Sequence, residues 1–478
     1  MKEGYVPKDQ RKKILLMCDD IRAHSGIANV AKELVIGTSH KYNWVNLGGA
    51  VNHPEEGKQF DISDNINSLA GVTDSDVKVI PISGYGNPTL VRQLLKKEKP
   101  DAIFLITDPR YWEWLFRIEN EIRRKIPIIY LNIWDDYPAP MYNKSFYESC
   151  DVLLGISKQT VNINKLVLGE KANSKIVKYV PHGINPSLFY PITEYSSHYE
   201  NYCEFVENVT DGGKDFVLFF NSRNIRRKQI PDTMLAWKYF IDQLPKEKRD
   251  KCLFILHTQP VDQHGTDLHA VRDYLFGENE KSVAFSQNRI SPEQLNYFYN
   301  LADAQILLSS NEGWGLSITE AMHAGTPVIA NVTGGMQDQM RFIDENKEWF
   351  TPDADVPSNH TGKYKESGNW AFPVYPTNRS LQGSVPTPYI WDDRCKPEDA
   401  AERIMELYNM TREERKKLGF EGRKWALGDE AGFTTKHMGD RIIDAMEEMF
   451  ETWTPREKFE LIKVNQKSEK LLRHKLLY

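Results

Sequence analysis

The sequence predicts an α/β fold in which parallel sheets carry helices on both faces, divided between two domains. Three observations carry that expectation. Short apolar, β-branched runs alternate with stretches of helical spacing along most of the chain, the order that yields parallel sheets. The chain has 478 residues, enough for two or three domains. Ala304 to Val332 contains a complete βαβ unit with a glycine loop after its first strand. In open α/β sheets that loop position is where ligands sit.

Composition narrows the function classes. Apolar residues make up 40% and charged residues 27%, and the net charge is −6. There is no global basic field, which weakens a nucleic-acid partner but leaves room for a local patch. No apolar run approaches the ~18 residues of a membrane span. The start, MKEGYVPKDQRKKILLM, has neither a long apolar core nor a small-residue cleavage site. No transmembrane segment and a cytoplasmic location are therefore expected. Cys18, Cys150, Cys203, Cys252 and Cys395 are far apart and odd in number, which fits a reducing compartment better than a zinc site or a disulfide framework.

In the first half, Lys13 to Cys18 reads as a buried strand, followed by a loop and a helix from Ile27 to Ile36. Ser25-Gly26 sits at that strand-to-helix turn, where a glycine lets the backbone approach a ligand; most glycine turns are only turns. Val77 to Ile82, Ala102 to Ile106 and Ile126 to Leu131 are further strands, with helices over Pro88 to Lys97 and Trp112 to Arg124 between them. Their ends carry Tyr85, then Asp108, Arg110, Tyr111 and Trp112, then Trp134, Asp135, Asp136 and Tyr137. Each alone fits a core edge or a surface loop; together they predict an acceptor-binding face. Asp151 to Ser157 is another strand. The first domain is expected over residues 1–190, and the polar, irregular stretch 191–214 is expected to be a linker.

The second domain, 215–434, opens with the strand Phe216 to Phe220 and then Arg223, Arg226, Arg227 and Lys228. Four cations after a strand make a natural diphosphate clamp, although such a cluster also fits a solvated face or a nucleic-acid patch. Strands at Leu253 to Leu256 and Val283 to Phe285 follow, the latter before Gln287-Asn-Arg289-Ile290. After the loop Asn311 to Gly315, Leu316 to Ala324 has helical spacing. Ile318, Ala321 and Met322 form its apolar face, with Thr319, Glu320 and His323 off it. Amides from Gly313 to Ser317 open this helix and can hold an anion. Ser317 and Glu320 also have the spacing of a capping box, which is the plainer reading of that Glu. A long polar, Pro-rich segment, 345–394, reads as an ordered insert. Helices are expected at Pro397 to Tyr408, at Arg412 to Trp425 and over 435–478, whose tail carries Lys463, Lys467, Lys470, Arg473 and Lys475.

The run Glu312-GWGLSIT-Glu320 followed by AMHAGTPVIANVTGG resembles the signature of retaining GT-B glycosyltransferases of glycosyltransferase family four. His323 stands where that family usually has Ala. The resemblance is strongest from Val177 to Gly335. It takes in PHGIN with Phe189 and Pro191 at the domain boundary, and the Arg-x4-Lys pair Arg223 and Lys228. It implies two Rossmann-like domains facing across a cleft, with a C-terminal helix crossing back to the first. It implies a nucleoside-diphosphate sugar donor, expected to be a UDP-sugar, and hexosyl or pentosyl transfer with retention.

On that resemblance, Arg223 and Lys228 stabilise the leaving diphosphate, Glu312 contacts the sugar hydroxyls and Glu320 the ribose. Gly26, Arg289, Ile290, Gly313, Trp314, Gly315, Leu316 and Ser317 complete the donor site. Arg110, Trp112, Trp134, Asp135 and Asp136 face the acceptor. The family's H-D-x-x-P pattern reads Trp134-Asp135-Asp136-Tyr137-Pro138 here, which leaves the usual His contact with the sugar unfilled. No cofactor and no metal are expected. The cations meet the charge, and no DxD motif stands in a donor-domain loop, since Asp135-Asp136 lies in the other half. No nucleophile is clearly placed, so a front-face mechanism is expected, with Asp135 as an alternative base.

TGGMQDQ and NRSLQGSVPTPYIWDD are similar to segments of glycosyltransferases of large tailed phages. That similarity implies an acceptor in double-stranded DNA, 5-hydroxymethylcytosine, in the cytoplasm of a host. Such an acceptor needs phosphate contacts and an extruded, stacked base, which the tail cations and Arg110, Tyr111 and Trp112 would supply. A cell-envelope polysaccharide or glycolipid is the alternative acceptor. From other classes, a non-catalytic nucleotide-sugar-binding protein and a nucleotide-sugar epimerase remain. The oligomeric state is left open.

Overall fold

The computed structural model describes residues 4–277, 281–352, 359–360 and 362–457. The first sheet has eight strands: β1 (Lys12–Asp19), β2 (Tyr42–Ala50), β3 (Phe60–Asp61), β4 (Val77–Ser83), β5 (Ala102–Ile106), β6 (Ile128–Asn132), β7 (Val152–Gly155) and β8 (Ile176–Tyr179). Their order is β3-β4-β2-β1-β5-β6-β7-β8, and only β3 runs antiparallel to its neighbour. The second sheet is parallel throughout: β9 (Phe216–Asn221), β10 (Cys252–His257), β11 (Val283–Ser286), β12 (Ala304–Leu307), β13 (Val328–Asn331) and β14 (Ala371–Val374), in the order β11-β10-β9-β12-β13-β14. The strand order reverses beside β1 in one sheet and beside β9 in the other. Both crevices at those switch points face one cleft, where doubly wound sheets bind ligands.

β1, β5 and β6 are nearly continuous apolar runs because both faces are covered. β2 follows no such rule and escapes a reading by periodicity, since its sequence YNWVNLGGA carries Asn and Gly inside a buried central strand. Asn46 is wholly buried and satisfied: its Oδ1 accepts from the Ile21 amide at 3.1 Å and its Nδ2 donates to the Leu16 carbonyl at 3.4 Å. A Cβ on Gly48 would stand 2.7 Å from the Asp20 Cα, and one on Gly49 would stand 2.6 Å from the Gly84 carbonyl. Close approach of neighbouring backbone, not propensity, sets both residues.

Three expectations are corrected. The helix over Trp112 to Arg124 is a 3-10 turn, Pro109–Trp112, and two short helices, Glu113–Phe116 and Glu119–Ile122. The stretch 191–214 is not irregular: it contains the helix Tyr199–Thr210. Tyr202, Phe205, Val206 and Val209 recur at helical spacing there, and Phe205 meets Phe298 edge-on at 4.9 Å. Thr319 and His323 do not lie outside a buried face. Both are fully buried, because the helix Leu316–Ala324 is enclosed on several sides, including by the helix Arg412–Leu427.

The insert supplies β14 and then a hairpin, β15 (Asn378–Ser384) and β16 (Thr387–Arg394), that belongs to neither large sheet. The helix Thr435–Thr452 returns to the first domain and packs on the helix Gly26–Thr38. The chain crosses back beside the boundary motif: the Ile184 amide donates to Phe433 at 3.1 Å and the Thr435 amide to Ile184 at 3.2 Å. The tail cations from Lys463 to Lys475 lie outside the described residues. Among the described residues no helix is long and apolar enough to cross a membrane.

The returning helix approaches through a glycine pair. A Cβ on Gly439 would stand 2.7 Å from the Gly37 carbonyl, and one on Gly37 would stand 2.8 Å from the Thr435 carbonyl. Gly439→Val should therefore cost about 1–3 kcal/mol by overpacking. Urea unfolding checks this, and an unchanged midpoint would refute the close helix contact.

Candidate functional site

The cleft between the sheets holds about 1070 Å³. Its second-domain wall comes from the ends of β9, β10, β11 and β12 and from the start of the helix Leu316–Ala324. That helix begins at Gly315, whose φ of +89° suits glycine, and has no side-chain cap. The capping-box reading is thereby set aside: Ser317 and Glu320 both line the cleft, and Glu320 bonds elsewhere. The loop before the helix rests on the glycine pair that follows β13. A Cβ on Gly334 would stand 2.0 Å from the Glu312 carbonyl and one on Gly335 would stand 2.2 Å from that of Gly313, while the Gly335 amide donates to Glu312 at 3.0 Å.

Glu312 is only 7% exposed and meets two cations. The Lys228 ammonium bonds its Oε2, Arg227 Nη1 reaches the same oxygen at 3.0 Å, and Ser309 Oγ donates at 3.2 Å. Burial alone would raise this carboxyl, but the charges of Arg227 and Lys228 outweigh it and hold Glu312 down at about 2. Burial also pulls the Lys228 ammonium down to about 8, against the opposing pull of Glu312. All three groups are charged at neutral pH.

Arg227 lies outside the Arg-x4-Lys pair, and the fold rather than the motif spacing brings it to Glu312. Arg226 is exposed and away from the cleft. Arg223 lines the cleft with a side chain 63% exposed, and its Nε bonds Asp262 at 2.9 Å.

Glu320 stands on the same wall, where its Oε2 accepts from the Tyr299 hydroxyl at 2.5 Å and from Asn221 Nδ2 at 3.4 Å. Burial pushes this carboxyl up to about 7, even though those hydrogen bonds favour its charged form. Tyr299 and Asn221 carry no sequence signal for this role. Arg289 lines the far end of the cleft beside Gln287 and Asn288, whereas Ile290 does not face it.

On the opposite wall Gly26 opens the helix Gly26–Thr38, with Ser25 as its cap. A Cβ at Gly26 would meet only Leu316 Cδ1, at 3.8 Å across the cleft, so the space before it is open to a ligand. Gly313 comes closer still, its virtual Cβ 2.8 Å from the Ile133 carbonyl of the first domain. Trp314 is buried, bonded through Nε1 to Thr319 at 2.9 Å and packed edge-on against Phe433 at 4.9 Å and His182 at 6.3 Å. His182, from the boundary motif, also lines the cleft, and burial lowers it to about 3, so it is neutral.

The acceptor-side residues divide. Arg110, Trp134 and Asp135 line the cleft; Trp112 and Asp136 do not. Trp112 is 1% exposed and donates to the Ile106 carbonyl at 3.1 Å, so it is a core residue and no stacking plate. Asp136 is wholly buried, accepting from the Tyr137 amide at 2.7 Å. Trp134 is nearly buried, and its Nε1 bonds the Asp136 carbonyl at 2.8 Å. Among the described residues no group of three or more His, Cys, Asp or Glu side chains is placed to hold a metal ion.

Comparison with known proteins bears on the fold and on one stretch of the cleft. The family model for "Glycosyl transferases group 1" matches residues 275–355, the region with the glycine loop, Glu312 and Glu320. An uncharacterized glycosyltransferase of Methanocaldococcus jannaschii is 26% identical over 254 residues, which are 53% of this chain and 59% of that protein. Among solved structures, sucrose-phosphate synthase of Thermosynechococcus elongatus superposes with a TM-score of 0.64 at 15% identity, over 92% of this chain and 100% of that one. HepE of Anabaena, in complex with UDP and glucose, gives a TM-score of 0.61 at 14% identity over the same shares. The chain thus has the GT-B fold of two Rossmann-like domains, and its cleft includes the stretch matched by the group 1 glycosyl transferase model.

Proposed function

We propose that this protein moves a sugar from a nucleoside-diphosphate donor, expected to be a UDP-sugar, to an acceptor hydroxyl with retention at the anomeric carbon. The observation that carries the reading is the ion triad of Glu312, Arg227 and Lys228 beside the open start of the helix Leu316–Ala324. It supplies both halves of a donor site. Cations and first-turn amides suit a diphosphate, and a carboxylate held charged suits sugar hydroxyls. Arg223 would reach the diphosphate by leaving Asp262, and Glu320 would meet the ribose. The nucleotide-sugar neighbours bear on the fold, and this assignment adds the chain's own residues to it.

The C1–O bond to the diphosphate breaks and its electron pair leaves with the phosphate oxygen. The acceptor oxygen supplies the pair for the new C1–O bond on the same face, and its proton passes to the departing phosphate oxygen. Glu312 Oε2 is taken by Lys228 and Arg227, whose charges lower the basicity of the carboxylate, and the role assigned to it is to orient the sugar. Charge developing on the diphosphate is met by side chains and helix amides, and the step draws on no metal. Among acceptors, 5-hydroxymethylcytosine in DNA loses Trp112 as a stacking plate; Tyr111, 52% exposed and 4.5 Å from Tyr85, is the aromatic left at that strand end. A non-catalytic binding protein would hold the nucleotide without turnover, so slow donor hydrolysis separates that reading. Proton NMR of the first-formed product tests retention.

Two outcomes are expected. Arg227→Ala and Lys228→Ala should each lower kcat about 10²–10³-fold, the usual loss of one charge-stabilising donor, with melting temperature recorded alongside; near-normal turnover in both would remove the electrostatic role. Glu320 supplies the second. Its folded value of about 7 lies above the ordinary 4.5. The stability it contributes is therefore complete below 4.5 and lost as pH rises through about 7. Glu320→Gln should gain in Tm relative to the native protein between about pH 5 and about pH 8, while UDP binding weakens through loss of charge-assisted hydrogen bonds of about 1.5–3 kcal/mol. A Tm difference that stays flat with pH would contradict the raised carboxyl.

A further inference from the structure

The hairpin β15–β16 starts in the donor domain and ends against the acceptor domain. The Trp391 amide donates to the Tyr137 carbonyl at 2.8 Å, the Met141 amide donates to the Tyr389 hydroxyl at 3.2 Å, and Tyr142 meets Tyr389 edge-on at 4.9 Å. Its other flank holds the donor loop: the Asp393 amide donates to Ser310 at 2.9 Å and Asn311 Nδ2 to Asp392 Oδ1 at 2.8 Å. Between these anchors, Thr387 and Ile390 face into the cleft opposite Asp108 and Arg110. Arg110 Nη1 bonds the Thr387 hydroxyl directly.

The charge at this place is already spoken for. Arg110 Nε bonds Asp108 Oδ1 at 2.7 Å and its Nη2 bonds the other carboxylate oxygen. With Thr387 on Nη1, three of the five guanidinium N–H donors are taken and the Asp108 carboxylate offsets the charge. Asp135 stands on the same side of the cleft. An anion here would meet two carboxylates, and the cations near them, Arg110 and Arg227, are already paired with Asp108 and Glu312, whereas hydroxyls would find in Asp135 an acceptor. Ile390 adds an apolar flank, which suits the C–H face of a pyranose. The residue that leads into this corner is strained: Thr107, β-branched, holds φ +91° with its carbonyl accepting from the Tyr130 hydroxyl at 2.9 Å. Such strain persists where surroundings enforce it and clusters at functional sites.

We propose that the hairpin Asn378–Arg394 forms the far wall of the acceptor subsite, and that this subsite takes an uncharged, hydroxyl-rich saccharide. The inference rests on the glycosyltransferase reading above. Thr387 and Ile390 are specificity-determining residues: they shape what enters beside Arg110 and play no part in holding the diphosphate. Trp391 and Asp392 connect that wall to Asn311, whose carbonyl accepts from Arg227 Nη1 at 2.8 Å. An occupied acceptor subsite therefore presses on the same loop that carries Glu312.

The test measures UDP release from UDP-glucose, UDP-galactose, UDP-N-acetylglucosamine and UDP-arabinose by the full chain. Methyl glucosides and maltose, glucose 6-phosphate, or duplex DNA containing 5-hydroxymethylcytosine are each added in turn. A neutral saccharide should raise release about tenfold or more over water, with the sugar phosphate and DNA below it. Thr387→Ala and Ile390→Ala should raise the KM for that saccharide about tenfold with little change in kcat and an unchanged Kd for UDP by calorimetry. Val385→Ala, at the hairpin tip and 99% exposed, should change nothing. Stimulation by the phosphate or DNA alone, no stimulation by any neutral saccharide, or an unmoved KM in both hairpin variants would overturn the proposal. Failure of the native protein to bind UDP would instead overturn the glycosyltransferase reading.

Discussion

Everything at the cleft depends on keeping one carboxylate charged out of water. Glu312 is nearly sealed, and the desolvation of such an ion costs several kcal/mol unless close partners repay it. Arg227 and Lys228 are those partners, and they arrive on a different strand end, after β9, while Glu312 follows β12. The two strands are neighbours in the sheet, so the sheet order itself brings the charges together. The loop after β9 is held in turn by Asn224, whose Nδ2 donates to the carbonyls of Pro260 at 3.0 Å and Thr266 at 2.7 Å. The loop after β12 lies on Gly334 and Gly335, where any side chain would collide with it. The ion triad and the glycine pair are two sides of one requirement: the charges need fixed positions, and fixed positions need close backbone packing.

The same economy of space joins the domains. Gly313 approaches the Ile133 carbonyl, Gly183 lies against Thr434, and Gly37 against Gly439. Each is a place where two segments of the chain meet closer than a methyl group allows. The Lys158 amide donates to Asp338 at 2.9 Å, and its ammonium reaches the carbonyls of Trp349 at 3.2 Å and Phe350 at 2.7 Å. The hairpin adds a second bridge on the other flank of the cleft. The two walls of the cleft are thus tied to each other at several points.

Much of this was legible beforehand. The alternation of apolar runs and helical stretches identifies the two sheets, because a strand covered on both faces needs an unbroken apolar run and a crossover helix needs a stripe. The run from Glu312 to Gly335 marks the loop at the cleft, since its glycines and carboxylates stand within one βαβ unit. By contrast β2 hid behind Asn46, Gly48 and Gly49, whose reasons for being there are atoms of other strands and loops. The helix Tyr199–Thr210 hid in polar composition, with its apolar stripe visible only once Phe298 is known to lie beneath it.

Sequence by itself therefore determined the class of fold, the place of the glycine loop and the kinds of groups gathered around it. Those are properties of local spacing and of chemistry carried by single residues. Tertiary structure alone decided which of four neighbouring cations meets Glu312, that Trp112 serves the core, that Glu320 pairs with Tyr299 and Asn221, and that a hairpin from one domain walls the other. Each of these is a contact between residues far apart along the chain, and burial, which sets both the strength of a charge pair and the cost of leaving it unmade, exists only after the chain has folded.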